Sequence, residues 1–416
     1  MNGKSEPDPV RLTAPTSGHE RIELLDALRG FALLGVLLVN LRTLSLYDLL
    51  PAQAREALPT GPLDRILAGV NAALVDGAFI TMFTLLFGVG FSMQMRRARQ
   101  RPEGVALYVR RLVILLAVGA AHALFWWGDI LRYYALLGLL LIPLARLPAK
   151  ALAWGGVMVV VLAPVVLRPF VPDLLPPQIS ARESADAALA AFGSPRWGEM
   201  LEGNLTRDLR MRIAVWVLPT YILGRLMIGA AIGRSGGLSE PDAHLRFWRR
   251  SCAWAAIVGG SIVLFLLLRE HAGWTDGIAW WRGDTGKMLL QMAGHAAPLV
   301  LGWLYLSAFV LLFQSRWQRA LRWLAPVGRM ALSNYLGQTL IAIGLFYGIG
   351  LGLGPRYGLA GATIAAVAIF LAQAAASRWW LSRFRFGPVE WLWRSLTYGR
   401  AQPMHRWGIP APAGHQ

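Results

Sequence analysis

Residues 25–40 read LDALRGFALLGVLLVN. An acid and a base, Asp26 and Arg29, stand at the mouth of an apolar run that closes on an amide, Asn40. Arg29 and Asn40 are eleven residues apart, so in a helix they share one face about 16 Å apart at 1.5 Å rise per residue. A later segment repeats the layout: Arg111 and His122 are again eleven apart, and Asp129 follows seven residues on. Two apolar helices therefore carry a cation toward one end and a polar group toward the other, which reads as a route across a bilayer with chemistry at one mouth.

The rest of the chain extends this pattern. Of 416 residues, 56% are hydrophobic and only 15% charged, whereas soluble domains carry about 25% charged residues. Ten apolar runs approach the length that spans hydrocarbon, at about 25–46, 70–94, 108–128, 130–148, 150–168, 213–233, 251–269, 286–313, 326–347 and 358–381. The sequence thus predicts an all-α polytopic membrane protein of about ten transmembrane helices. A disordered N-terminus over 1–20, one helical domain over 21–383 and a basic tail over 384–416 complete the expected organisation. The longest loop, about 169–212, begins proline-rich and then carries a short helix near 180–192.

A net charge of +18 raises nucleic-acid binding, but its placement speaks against that partner. Arg96, Arg97, Arg99, Arg110 and Arg111 lie between the second and third runs, Arg146 and Lys150 after the fourth, and Arg246, Arg249 and Arg250 after the sixth. These loops alternate with loops of mixed charge, as the positive-inside rule demands. An even number of spans then places both termini in the cytoplasm. No short apolar stretch with a small-residue cleavage site precedes the first run, so that run is expected to be retained. Cys252 stands alone, which excludes an internal disulfide and a cysteine-based metal site, and no metal is expected.

A polar group inside hydrocarbon needs a partner or a purpose. On the outer side the topology gathers Asn40, Asp76, His122, Asp129, Gln291 and His295. Toward the inner side lie Asp26, Arg29, Arg110, Arg111, Arg225, Asn334 and Gln338, with Arg225 the most deeply placed cation. Arginines at such a mouth suit a ligand bearing several phosphates, and equally suit lipid headgroups. His122 either bonds a neighbouring helix or acts as a general base with a carboxylate orienting its ring. Asp129 is too far along a straight helix to touch it, so Asp76 across a helix interface is the better orienter; His295 is the competing base. No Gly-x-Ser-x-Gly, HExxH or P-loop pattern occurs. The glycine patterns GAAIG (229–233), GLFYG (344–348) and LFGVGF (86–91) read as close helix packing.

The stretch 22–40 resembles the opening helix of membrane acyltransferases, and Val39-Asn40 resembles the end of that helix in the heparan-α-glucosaminide N-acetyltransferase type. Across 21–400 the chain resembles the YeiB-like family (domain of unknown function 418). Five blocks occur in order: LDALRGFALLGVLLVN, FTLLFGVGF, GAAHALFWWGDILRYYALLGLLL, VGRMALSNYLGQTLI and FGPVEWLWRSLTYG. Through the wider acyltransferase group, the resemblance implies transfer of an acyl group, acetyl foremost, from cytosolic acyl-CoA to an extracytoplasmic sugar, glycan or lipid-linked acceptor. It implies phosphate binding by Arg29, Arg110, Arg111 and Arg225, a thioester carbonyl held by Asn40, and His122 as base with Asp129 or Asp76. The glucosaminide enzymes place a histidine soon after the first span; 41–65 has none here, so the role passes to His122. Membrane lipids are expected partners, and a homodimer is compatible with the pattern. Two other readings stay open, a transporter or lipid flippase and a non-catalytic membrane scaffold.

Overall fold

The computed structural model describes residues 23–100, 102–171, 180–272 and 278–406. The expected disorder over 1–20 and the last ten residues of the tail lie outside them. Every regular element among the described residues is a helix, with one isolated bridge between Phe384 and His405. Helices are what an apolar chain in lipid must form, because each satisfies its own backbone polar groups.

The main helices are α1 (Glu23–Leu44), α2 (Ala78–Ala98), α3 (Gly104–Ala123), α4 (Leu131–Leu144), α5 (Ala149–Val161), α6 (Ala181–Gly193) and α7 (Trp197–Ala214). They are followed by α8 (Leu218–Ser235), α9 (Leu245–Ala272), α10 (Asp284–Phe313), α11 (Ala331–Phe346), α12 (Gly358–Arg383) and α13 (Pro388–Tyr398). Among the described residues six helical stretches are long and apolar enough to cross a membrane, and α7 with α8, bent by 72°, makes a seventh if the pair is one span. The other three of the ten runs are α4, α5 and α11, of 14, 13 and 16 residues. The chain is thus an all-α polytopic membrane protein.

Of the runs that differ from their expected extent, the second and third bear on the site. The second is interrupted: a π turn over Asn71–Val75 leads into extended backbone at Asp76 and a left-handed Gly77 (φ 74°), after which α2 begins. The third stops at Ala123 instead of continuing to 128. The long loop holds two helices, of which α6 starts where Ser180 and Glu183 form a capping box.

α1 is central, with 67% of its apolar window buried against 11% for the stretch containing α9. Its Phe31 sits between Phe79 and Phe309, ring centroids 5.3 and 5.2 Å away. α2 and α8 cross with backbones nearly touching. A Cβ on Gly229 would strike the Leu85 carbonyl, and one on Gly88 the Leu226 carbonyl. With no hydrophobic drive between helices in lipid, this small-residue crossing is what lets dispersion hold them. GLFYG behaves differently: Gly348 packs on Gly193, while Gly344 has open space around its Cβ position.

The arginine-rich turns gather at one end of the bundle. Arg99 donates to the Ala145 carbonyl at 2.9 Å, and Arg234 donates to the Ala145 and Leu147 carbonyls, closing the C-terminus of α4. The tail folds onto this basic end: Trp393 of α13 donates to the Arg111 carbonyl at 2.9 Å. Glu390 accepts from the backbone N–H groups of Leu332 and Ser333 at 2.7 and 3.1 Å, capping α11.

Candidate functional site

His122 occupies the last turn of α3, at the end away from the arginines. Beyond it the chain turns sharply, because Asn204 of α7 supplies what another helical turn would have. Its carbonyl oxygen accepts from Trp127 N at 2.7 Å, and its amide donates to the carbonyls of Ala123 (2.7 Å) and Leu124 (3.0 Å). The turn carries Asp129 back over the helix end. Its Oδ1 lies 2.9 Å from His122 Nδ1, with the two side chains 0% and 4% exposed. The separation expected along a straight helix therefore does not apply, and Asp129 is the orienter.

Asp129 Oδ2 accepts from Arg132 N and Nε, both at 3.1 Å. Arg132 then forks onto Asp208 at 3.0 and 2.8 Å, and Arg212 reaches the same carboxylate at 3.1 and 2.9 Å. Burial works to raise the Asp208 carboxyl, but the hydrogen bonds and charges of Arg132 and Arg212 outweigh it and hold the group below the usual carboxylate range. Two carboxylates face two guanidiniums, so the chain of charges is neutral before the imidazole counts.

Because the Asp129 carboxylate can only accept, the network assigns a proton to His122 Nδ1, so in the neutral ring Nε2 carries the lone pair. Nε2 lies 2.9 Å from the Thr339 hydroxyl of α11, and the Tyr335 ring stands beside the imidazole, centroids 5.0 Å apart. A buried histidine with a carboxylate on one ring nitrogen and a hydroxyl on the other has the contacts that a general base requires. Close by, Arg207 of α7 lies over the Trp127 ring at 4.6 Å and lines a cavity of about 350 Å³ between α6 and α7. The indole N–H groups of Trp126 and Trp127, Arg207 Nε and the Tyr347 hydroxyl are buried without a hydrogen-bond partner among the described residues.

At the basic end, Arg29 pairs with Asp26 at 3.2 Å and reaches across α2 at Gly90, where a Cβ would stand 3.4 Å from its Nη2. The Arg111 guanidinium lies 3.7 Å from the centre of the Trp393 ring. It is near enough to Arg29 and Arg394 for their charges to be felt. Arg110 is exposed, its guanidinium beside Gly399. These three arginines therefore lie at the same end of the bundle.

The remaining candidates fall elsewhere. Asp76 takes a two-pronged bond from Arg42, 2.9 Å to each oxygen, with Asp48 on the same guanidinium, and does not reach His122. Asn40 is half-buried and has no side-chain hydrogen bond among the described residues. α1 and α3 do not pack along their lengths, since α2 borders both. Asn334 and Gln338 register α11 against α12, through Ser377 (3.0 Å) and Gln373 (3.0 Å). His295 meets the Tyr221 hydroxyl at 2.6 Å, and Gln291 is half-buried. Arg225 does not join the other cations. It sits seven residues into α8, nine before Arg234, hence about 13 Å from the basic end.

Sequence reasoning passed over Arg132, Asn204, Asp208, Tyr335 and Thr339. One signal was available: Asn204 and Asp208 are four residues apart and share a face of α7. Nothing local links Thr339 to a residue 217 positions away.

A family model described as a protein of unknown function (DUF418) matches residues 232–400. The chain is 32% identical to the uncharacterized protein YxaH of Bacillus subtilis over 412 residues, covering 94% of this chain and 97% of the relative. It is 32% identical to the uncharacterized protein YeiB of Escherichia coli over 397 residues, covering 92% and 98%. An uncharacterized 39.9 kDa protein from the amylase 3′ region of Bacillus acidopullulyticus is 29% identical over 400 residues, covering 94% and 97%. No solved structure matches. The matched family region holds Tyr335 and Thr339, while His122, Asp129, Arg132, Asn204 and Asp208 precede it and fall within the length shared with the whole-chain relatives.

Proposed function

The chain belongs to the YeiB-like family of DUF418 proteins, and from that premise we propose that it is an acyltransferase of the bacterial inner membrane. It carries an acyl group from cytosolic acyl-CoA to an acceptor on the far side. The observation that carries this reading is the fully buried His122–Asp129 pair, 2.9 Å apart, with Nε2 turned to a hydroxyl. The positive-inside rule puts the arginine-rich end in the cytoplasm. There Arg29, Arg110 and Arg111 hold the phosphates of CoA, guanidinium being suited to bidentate phosphate contact. Eleven residues of α3 separate Arg111 from His122, about 16 Å, the reach of a pantetheine arm.

In the transfer step His122 Nε2 takes the proton of an acceptor hydroxyl or amine as its oxygen or nitrogen attacks the thioester carbonyl. Asp129 steadies the imidazolium. The tetrahedral intermediate then expels the CoA thiolate, which leaves with the proton from His122. The Thr339 hydroxyl marks where the acceptor group stands. A positioned base of this kind contributes about 10²–10⁴-fold. The α6–α7 cavity, with the donors of Arg207 and the two tryptophans nearby, is of a size that takes a small oxygen-rich acceptor such as a sugar. Asn40 receives no step, because no hydrogen bond joins it to the His122 network.

The test is transfer of labelled acetyl groups from acetyl-CoA in proteoliposomes, with CoA-dependent thermal stabilisation measured alongside. Wild type transfers and is stabilised. His122→Ala keeps the stabilisation and loses transfer, and Arg111→Gln loses the stabilisation. A wild-type protein that CoA does not stabilise and that transfers nothing overturns the proposal; lipid movement without CoA would point to a flippase.

A further inference from the structure

Arg225 is a buried cation that neither the His122 network nor the arginines of the basic end engage. It lies in the middle of α8, 5% exposed, and among the described residues it has no hydrogen-bond acceptor and no carboxylate; its Nε is wholly enclosed without a partner. Its neighbours are rings. The guanidinium carbon stands 5.5 Å from the Tyr221 ring centre, and the Tyr134 hydroxyl, 2.8 Å from Thr84 Oγ1, is close enough to sense its charge. An intramembrane cation left in this state is a costly feature, and such residues mark ligand paths. A guanidinium with idle donors beside tyrosines is complementary to a phosphate, which can accept from guanidinium and phenol alike.

The way in is lateral. α8 and α10 share no extended packing; they meet through the 2.6 Å contact between the Tyr221 hydroxyl and His295. Both residues are half-buried, and Tyr221 lies one turn of α8 before Arg225. The shell there is apolar: α10 lacks a charged residue from Met288 to Phe313. A free anion would have to cross that shell, whereas a phosphate ester on a hydrocarbon chain would leave its tail in it.

We propose that Arg225, Tyr221, Tyr134 and His295 form a membrane-depth binding site for the phosphate group of a lipid, reached between α8 and α10 through the Tyr221–His295 pair. The site stands apart from acyl transfer and does not depend on it.

The experiment measures thermal stabilisation and native mass spectra of purified protein in nanodiscs. Discs of phosphatidylcholine alone are compared with discs containing phosphatidic acid, and inorganic pyrophosphate is added in a separate arm. The wild type is expected to bind and be stabilised by phosphatidic acid. Arg225→Gln should weaken that binding about tenfold or more, the loss of one charge-assisted hydrogen bond. Arg225→Lys, which keeps the charge without the fork, should retain part of it and serves if the glutamine variant does not fold. The exposed Arg319→Gln should bind as wild type. Equal binding by wild type and both Arg225 variants overturns the site. Stabilisation by pyrophosphate and not by phosphatidic acid keeps an anion at Arg225 but overturns the lipid as its source.

Discussion

Replacing Asp129 by asparagine tests the assignment of His122 more sharply than removing the histidine. In the native structure Oδ2 accepts two donors, Arg132 N and Nε, and Oδ1 faces His122 Nδ1. An asparagine has one oxygen and one NH₂, and the NH₂ cannot face the two Arg132 donors. The oxygen therefore turns to Arg132 and the NH₂ to the imidazole. Nδ1 must then accept, which moves the ring proton to Nε2 and removes the lone pair from the side facing Thr339. Arg132 keeps its pair of bonds to Asp208, although that one carboxylate now faces both Arg132 and Arg212. The stability cost is the change from charged to neutral acceptor, about 1–3 kcal/mol. Acyl transfer should fall by about 10²–10⁴, the contribution of a general base. Selective ¹⁵N-histidine NMR reads the tautomer directly, with thermal unfolding and transfer measured on the same preparation. A variant that keeps the proton on Nδ1, or transfers at the wild-type rate, refutes this account of the base.

Two further outcomes follow from the fold. Gly229→Leu puts a side chain into the Leu85 carbonyl and should force α2 and α8 apart, costing about 1–3 kcal/mol or more and reducing monodisperse yield on size exclusion, whereas Gly69→Ala, with open space around it, should not. Asp208 titrates below its ordinary value in the folded protein, so its contribution is whole above the ordinary carboxylate pKa of about 4 and is lost as pH falls from there through the lowered value. Unfolding temperature should drop over that acid window, and Asp208→Asn should flatten that limb of the profile; an unchanged slope contradicts the pairing with Arg132 and Arg212.

The helices were legible because hydropathy is a local property: each of the ten apolar runs falls on a helix, and the small-residue patterns at 86–91 and 229–233 meet at the α2–α8 crossing. The site was legible only in part. His122 stood out as a histidine in an apolar helix, but its partner was misjudged because periodicity extends a helix until something stops it. Here the stop comes from Asn204, some eighty residues away, which replaces the backbone bonds of the missing turn. Asp76 faced the same difficulty: its bond to Arg42 spans 34 residues and depends on the break at Gly77. Arg225 was legible as a deep cation but not in its company, since Tyr134 comes from another helix and His295 bonds the Tyr221 beside it.

The cap that Glu390 places on α11 has a bearing on biosynthesis. The carboxylate that satisfies the first amides of the helix carrying Thr339 is made 58 positions after Leu332. While the ribosome is still translating α12, the opening amides of α11 are without it, and the imidazole of His122 has no settled hydroxyl to face. The surroundings of His122 are thus complete only when the last helix docks.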